Sequence, residues 1–303
     1  MGKGKRRLFI GILLIIFLGA AGGMCSVLLQ YQKSRNFYSQ AAEQYTSLVL
    51  SDVSDGSEET GTDSGDSTPA GENSLDTKDR LSEKAPLVVD FEALQAVNPD
   101  IIGWIYCADT IINYPVLQGE DNDFYLQHSY EKSPLKQGSI FIDVENKDDF
   151  SDRNTIIYGH HMKDGSMFSV LHSWRNQEFY EEHPVMWLLT PKQDYKIVLF
   201  SGYTASAYSD TYTIFPEEAY SGNAEKSLRE RSPKAYQELE TYLDSCAKKT
   251  NFRPEQSWQE LCRWEEQEGD GEEYQEYRYV LLSTCAYEFD DARFVLHGVL
   301  IPN

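Results

Sequence analysis

The chain has 303 residues, of which 41% are hydrophobic and 13% aromatic. This composition can fill one large core or two small ones and excludes a wholly disordered chain. The net charge of -22, from 49 acidic and 27 basic residues, repels phosphate backbones and argues against a nucleic-acid-binding protein.

The N-terminal segment predicts a single membrane anchor. Residues 8–29 form an uncharged apolar run of 22 residues, about 33 Å long as a helix against a hydrocarbon core of about 30 Å. The alternative is a cleaved signal peptide, but the usual apolar region of such peptides is only about 7 to 15 residues long. Four basic residues within the stretch 1–7 predict a cytoplasmic N-terminus. The rest of the chain is then expected outside the cell membrane.

A juxtamembrane helix is predicted at 30–50, followed by a linker at 51–86. The linker contains ten acidic and three basic residues among many Ser, Gly and Thr, so it cannot bury a core. As a flexible tether, it has an r.m.s. reach of about 35 Å. A folded catalytic domain is therefore predicted at 87–303.

Short apolar runs separated by turn residues predict seven or eight strands in this domain. Such a series favours a mainly β fold, a mixed or antiparallel barrel with added helices. The predicted strand runs are 111–117, 139–143, 155–158, 185–190, 195–203, 277–284 and 293–301.

Helical patterns are fewer. They cover 91–97, behind Asp90 as an N-cap, and also 166–174 and 235–249. The last segment has one apolar stripe, formed by Tyr236, Leu239, Tyr242, Leu243 and Cys246. The stretch 216–276 is predicted to be a long, partly helical insertion between two barrel strands.

The five cysteines have no C-x-x-C spacing and predict neither a disulfide framework nor a zinc site. Cys107 is interpreted as a core thiol. Cys246 and Cys262 could form a disulfide in an oxidising exterior or remain separate thiols, and the sequence leaves both possibilities open.

Three residues that could perform chemistry stand at strand ends. Cys285 ends one apolar strand, His160 follows another, and Arg293 opens the next strand along the chain. A cysteine nucleophile needs a proton partner and a cation for the developing oxyanion, and these residue types supply both. The alternative is an inert, buried Cys285.

The motifs around these residues resemble those of a known family. N-T-I-I-Y-G-H-H-M at 154–162 with S-M-F at 166–168, L-S-T-C at 282–285, R-F-V-L-H-G at 293–298 and V-N-P-D-I-I-G-W-I at 97–105 look like a class B sortase. The resemblance covers nearly all of 87–303, with the motifs in the family's order. The family's T-L-x-T-C has Leu281 in place of its first threonine here.

The resemblance implies a closed eight-stranded barrel with an N-terminal helical segment and a helix in the long insertion. It also implies a cysteine transpeptidase with Cys285 as nucleophile, His160 as acid and base, and Arg293 as the oxyanion cation. Thr284 and Ser283 are expected to bind the substrate beside Cys285. His161 is expected not to be the catalyst, and no cofactor or metal is expected.

The implied partners are exported proteins with a C-terminal sorting signal and a peptidoglycan amine that accepts them. A lysine of another protein, as in pilin polymerisation, is an alternative acceptor. A hydrolytic cysteine peptidase and a non-catalytic envelope-binding module are the alternatives from other classes.

Among the remaining histidines, His172 and His183 are interpreted as surface or packing residues, and His297 as part of the barrel wall.

Overall fold

The computed structural model describes residues 3–49, 84–220, 228–263 and 278–303. Most of the predicted linker at 51–86 lies outside the described residues, as do 221–227 and 264–277 of the predicted insertion.

Eight strands form a closed barrel: β3 Ile101–Tyr106, β4 Asn113–Leu117, β5 Ile140–Ile142, β6 Asn154–Tyr158, β7 Val185–Leu189, β8 Tyr195–Ser206, β9 Arg278–Cys285 and β10 Ala292–Pro302. Around the barrel they follow the order β10-β8-β7-β3-β4-β5-β6-β9. Neighbouring strands are antiparallel except for the parallel pairs β4–β5 and β6–β9. The predicted eight-stranded mixed barrel is thus confirmed.

One barrel strand, β3, is not among the predicted runs. Its burial is nearly continuous rather than alternating, because both faces of Ile101–Tyr106 are covered. Several predicted strands are equally buried, so what distinguishes β3 is Gly103, which interrupts its apolar run and weakens a strand signal. Gly103 lies in its middle, where a side chain would approach the Leu189 carbonyl.

Two apolar layers hold the sheet between them. Val280 and Leu282 of β9 face the barrel interior, whereas Tyr279 and Leu281 belong to a second cluster on the outer face. Successive side chains on a strand point to opposite faces, so the two layers alternate along β9. The long helix of the insertion, at Pro233–Lys249, covers the outer layer.

The predicted helices are found in the folded part. Helix α2 (Phe91–Val97) begins behind Asp90, whose carboxylate accepts a 2.9 Å hydrogen bond from the Ala93 N–H. The predicted 166–174 segment is a 3-10 helix, Phe168–Arg175. The others are α3 Gln177–Glu182, α4 Leu228–Arg231, α5 Pro233–Lys249 and α6 Trp258–Arg263.

Helix α5 buries four of the five residues in the predicted stripe, and the fifth, Tyr236, is partly buried. Leu239, Tyr242, Leu243 and Cys246 are buried on one side of it. The Cys246 sulfur accepts a hydrogen bond from the Tyr203 hydroxyl, and the Cys262 sulfur lies 3.3 Å from the Tyr279 hydroxyl. The structure has no disulfide between Cys246 and Cys262.

The packed region begins before Leu87. Helix α1 (Lys3–Tyr45) runs into strand β1 (Thr46–Leu48), which pairs antiparallel with β2 (Leu87–Val89). Tyr38, at 4% exposure, lies in the same core as the barrel. Apolar and aromatic residues of the predicted juxtamembrane segment therefore pack on the domain.

Helix α1 includes the predicted anchor at 8–29. Of that stretch, the side chains of 8–15, 27 and 28 lie outside the described residues. In the part of the chain that the structure describes, no helix combines the length and apolar character needed to cross a membrane.

Candidate active site

Strand pairing places Arg293 beside Cys285. The two residues are Cα partners in the antiparallel β9–β10 ladder, so their side chains stand on the same face of the sheet. The next rung is the 2.9 Å bond from the Ala286 N–H to the Ala292 carbonyl. Cys285 and Arg293 therefore form a non-hydrogen-bonded pair, the arrangement in which facing side chains are closest. Both are half-buried.

His160 arrives at the same end of the sheet. Strands β6 and β9 are parallel, with Tyr158 paired to Ser283 and the Gly159 N–H donating to the Ser283 carbonyl. His160 and Cys285 each follow that pair by two residues. The structure thus brings the three predicted residues to one edge of the barrel.

Gly159 allows this strand end to form. A Cβ added at Gly159 would lie 2.6 Å from the Phe168 ring and from Ile140. Only glycine lets the ring pack that closely against the backbone. This contact explains why a glycine directly precedes His160.

One ring nitrogen of His160 is already occupied. Its Nε2 lies 2.7 Å from the Leu126 carbonyl oxygen. A carbonyl can only accept, so Nε2 carries a hydrogen and donates it. In the neutral ring, the lone pair is then on Nδ1, which is the atom that can take up a proton.

Thr284 and Ser283 are placed differently from the expectation. Thr284 points to the opposite face of β9 from Cys285 and is 2% exposed. Its hydroxyl has no hydrogen-bond partner within the described ranges. Ser283 shares the face of Cys285 but is also 2% exposed. Contact between either side chain and a bound peptide therefore requires local movement of the strand or its cover.

Tyr212 packs over Ser283. The sequence analysis did not identify Tyr212 as a residue of the site. Its hydroxyl lies 2.8 Å from Ser283 Oγ, and its ring stacks on Tyr158. Burial raises the pKa of Tyr212, and the nearby Arg293 partly opposes this rise. Tyr212 lies in a short 3-10 turn after β8, which has no periodicity to single it out. The run of aromatic residues between 203 and 215 was the available signal.

Two further histidines meet at Cys285. His161 Nδ1 lies 2.8 Å and His172 Nε2 3.0 Å from the Cys285 carbonyl oxygen. Their ring centroids are 4.4 Å apart. The sequence predicts His172 to be a surface or packing residue, whereas the structure places it at the candidate nucleophile. The sequence could not indicate this, because His172 and Cys285 are 113 residues apart.

The other predicted non-catalytic residues lie away from this edge. His297 is fully buried in β10, and burial lowers its pKa to about 3. Its Nε2 is 3.2 Å from the Tyr203 hydroxyl. Burial raises the pKa of the Cys107 thiol to about 12, and His183 packs against Trp174 and Phe179.

The charge on Arg293 is not neutralised by an ion pair with any described residue. Its Nη1 donates to the Ala292 carbonyl at 2.9 Å. Nearby, Arg175 pairs with Glu288 and lies over the Phe294 ring.

Within the described ranges, no group of three or more His, Cys, Asp or Glu residues could hold a metal ion. The site offers a thiol, imidazoles and a guanidinium, a set suited to acyl transfer.

No family model matches the chain. Among curated proteins, sortase B of Listeria monocytogenes is 43% identical over 125 residues, which cover 41% of this chain and 51% of that protein. Sortase B of Staphylococcus aureus is 41% identical over 122 residues, 40% of this chain and 50% of that protein. The chain thus spans about half the length of the curated relatives it matches.

Solved structures extend the likeness to most of the chain. Sortase B from Bacillus anthracis in complex with AAEK1 has a TM-score of 0.58 and 26% identity, covering 91% of this chain and all of that one. A Staphylococcus aureus sortase B–substrate complex has a TM-score of 0.54 and 28% identity, covering 75% of this chain and 89% of that one. A sortase B complexed with triglycine has a TM-score of 0.52 and 30% identity, covering 70% of this chain and 85% of that one. These structures share the barrel fold of this chain.

Proposed function

Because the chain belongs to the class B sortases, we propose that it is a cysteine transpeptidase that transfers exported proteins to a cell-wall amine. It cleaves a C-terminal sorting signal, holds the released carbonyl as a thioester on Cys285 and passes it to a peptidoglycan amine. The proposal rests on one observation above all, the pairing of Cys285 with Arg293 beside His160 at a single sheet edge.

The first half of the reaction forms the thioester. The Cys285 thiolate attacks the carbonyl carbon of the scissile peptide bond, and the Arg293 guanidinium stabilises the negative oxygen that results. The C–N bond then breaks. His160, as the imidazolium, donates the proton on Nδ1 to the leaving amine and becomes neutral. The Leu126 carbonyl holds the ring through Nε2 during both proton transfers.

The second half reverses the proton transfers. An acceptor amine attacks the thioester carbon, and neutral His160 takes its proton at Nδ1. The C–S bond breaks, which returns the Cys285 thiolate and the His160 imidazolium. A new amide joins the exported protein to the acceptor.

Relatives support the two substrate classes. One Staphylococcus aureus sortase B was solved as a substrate complex, and another sortase B was solved with triglycine, a peptide with a free amine. We extend these classes to this chain, with a sorting peptide as acyl donor and a peptidoglycan amine as acceptor.

Location is a further part of the proposal. The basic residues within 1–7, ahead of the apolar stretch 8–29, support a single-pass anchor and a catalytic domain on the outer side of the cell membrane. Protease added to intact cells should then digest 87–303. Digestion only after lysis would contradict this location.

The function is tested with the full chain, a library of sorting peptides and triglycine as acceptor amine, read by mass spectrometry. The expected products are a cleaved peptide joined to triglycine and a thioester trapped on Cys285. Cys285→Ala should abolish both, whereas Cys25→Ala, the matched change at an exposed thiol, should not.

Three outcomes would overturn the proposal. Unchanged cleavage by Cys285→Ala would remove the nucleophile. Conversion to the free acid despite abundant amine would indicate a peptidase. A clear preference for lysine peptides from pilins over wall-type amines would indicate a pilin polymerase.

A further inference from the structure

The main-chain carbonyl of Cys285 is bound in an unusual way. On the β6 side of β9, the parallel ladder ends with the bond from the Gly159 N–H to the Ser283 carbonyl. The next carbonyl along that edge belongs to Cys285, two residues later. Two imidazole nitrogens, His161 Nδ1 and His172 Nε2, lie 2.8 and 3.0 Å from it. Side chains thus replace the missing ladder partner.

We propose that His161 and His172 form a paired imidazole clamp on the Cys285 carbonyl and act as positioning residues for the nucleophile. The proposal rests on the proposed role of Cys285 as nucleophile and adds two residues that act through its backbone. Neither histidine transfers a proton to the substrate in this scheme, which distinguishes both from His160.

The direction of the hydrogen bonds follows from the acceptor. A carbonyl oxygen has two lone pairs and no hydrogen, so it can accept from both rings at once. His161 must therefore carry a hydrogen on Nδ1, and His172 on Nε2. Neutral imidazoles satisfy both requirements, so the clamp does not need a charge.

The surroundings of His172 favour its neutral form. Burial lowers the pKa of His172, and the neighbouring His161 and Arg175 lower it further. The Cys285 carbonyl and Glu288 oppose this shift, because both stabilise the protonated ring. A positive charge on His172 would also lie close to the His161 ring, because the two ring centroids are 4.4 Å apart.

Both rings are fixed by aromatic contacts. The His172 ring stacks on Phe294 of β10, with centroids 5.1 Å apart and planes 30° apart. The His161 ring lies against Tyr287 at 5.2 Å. His172 is also part of the 3-10 helix Phe168–Arg175, which packs on β9 and β10. The clamp therefore connects this helix to the backbone of the nucleophile.

The position of Cys285 makes such a clamp useful. The chain leaves β9 immediately after Cys285, and residues 287–291 are all exposed. On the β10 side, the Ala286 N–H still bonds to Ala292. On the β6 side, the two imidazoles hold the Cys285 carbonyl. Without them, the thiol would be carried by a strand end held from one side, and a misplacement of about 1 Å can cost a factor of about 10² in rate.

Paired substitutions at His172 separate donation from packing. His172→Gln retains an N–H donor at a similar distance from the backbone, whereas His172→Phe keeps an aromatic ring on Phe294 but donates nothing. His183→Gln and His183→Phe are the matched controls, because His183 packs against Trp174 and Phe179 instead of the nucleophile.

In the full chain, His172→Phe should lower kcat about tenfold or more with little change in KM, since the loss of one net hydrogen bond is worth about that factor. His172→Gln should recover kcat to within about threefold of the parent. The kcat of His161→Asn should likewise exceed that of His161→Leu, because the asparagine amide can donate a hydrogen bond in place of Nδ1. Parental kcat in His172→Phe, or equal losses in the Gln and Phe variants, would overturn the clamp.

A second measurement is independent of turnover. The rate at which iodoacetamide alkylates Cys285 can be followed against pH by peptide mass spectrometry. We expect His172→Phe to change this rate profile and His183→Phe to leave it unchanged. If no sorting peptide is turned over by the parent, the proposed function fails, but the alkylation profile still decides the clamp. An unchanged profile in the double variant His161→Leu, His172→Phe would refute it.

Discussion

Arg293 and Cys285 face each other across the β9–β10 pair, on the same side of the sheet and in a non-hydrogen-bonded register. Backbone pairing therefore places Arg293 beside the thiol, and the guanidinium Nη1 donates a hydrogen bond to the neutral Ala292 carbonyl. It stays available for a negative charge that develops beside the thiol.

Replacing this cation tests its role. Arg293→Met should lower kcat/KM by about 10² to 10³, because it removes the charge that stabilises the oxyanion. Arg293→Lys should recover only part of the loss, since the planar fork of donors is missing. Arg253→Met, at an exposed arginine, is the control and should retain parental kinetics. Parental kcat/KM in Arg293→Met would contradict the assignment.

The adjacent histidines should differ in the size of their effects. His160→Ala should lower kcat by about 10² to 10⁴, because it removes the proton-transfer group. His161→Ala should retain much more activity, since it weakens only the hold on the Cys285 carbonyl. Rates of thioester formation and of amine transfer, measured separately, should both fall in His160→Ala. The reverse order of severity would refute the assignment.

Gly159 should tolerate no side chain. Gly159→Ala places a methyl group 2.6 Å from the Phe168 ring, and such overpacking costs about 1 to 3 kcal/mol in the free energy of unfolding. Urea unfolding measures this loss. The double variant Gly159→Ala, Phe168→Leu should regain part of what the two single changes lose together. Strict additivity would show that the two residues are not coupled.

His297 predicts a pH dependence of stability. Burial lowers its pKa from an ordinary value of 6.5 to about 3, so below about pH 6.5 the unfolded chain binds a proton that the folded chain excludes. The contribution of neutral His297 is present above pH 6.5 and is lost as the pH falls towards 3, by at most about 1.4 kcal/mol per pH unit.

The variant His297→Gln removes this titration. Its unfolding free energy should therefore depend less on pH between 6.5 and 3 than that of the parent. His297→Asn should show the same reduced dependence, because it also lacks the titrating imidazole. Equal slopes in His297→Gln and the parent would contradict the buried, neutral state of His297.

Local patterns were sufficient for most of the barrel. Short apolar runs bounded by turn residues predicted seven of its strands, Asp90 marked the start of α2, and the apolar stripe within 235–249 predicted most of the buried face of α5. They failed at β3, where Gly103 interrupts a short apolar stretch, because glycine weakens a strand signal. They also failed upstream of Leu87, where β1 forms only by pairing with β2 across the linker.

The sequence by itself determined the family motifs and the candidate set of Cys285, His160 and Arg293, because each stands where a recognisable strand ends or begins. Only the tertiary structure decided that Thr284 points inward and that Tyr212 and His172 meet the site. Those positions depend on strand register and on contacts between residues far apart in the chain. No local spacing or periodicity in the sequence encodes such contacts.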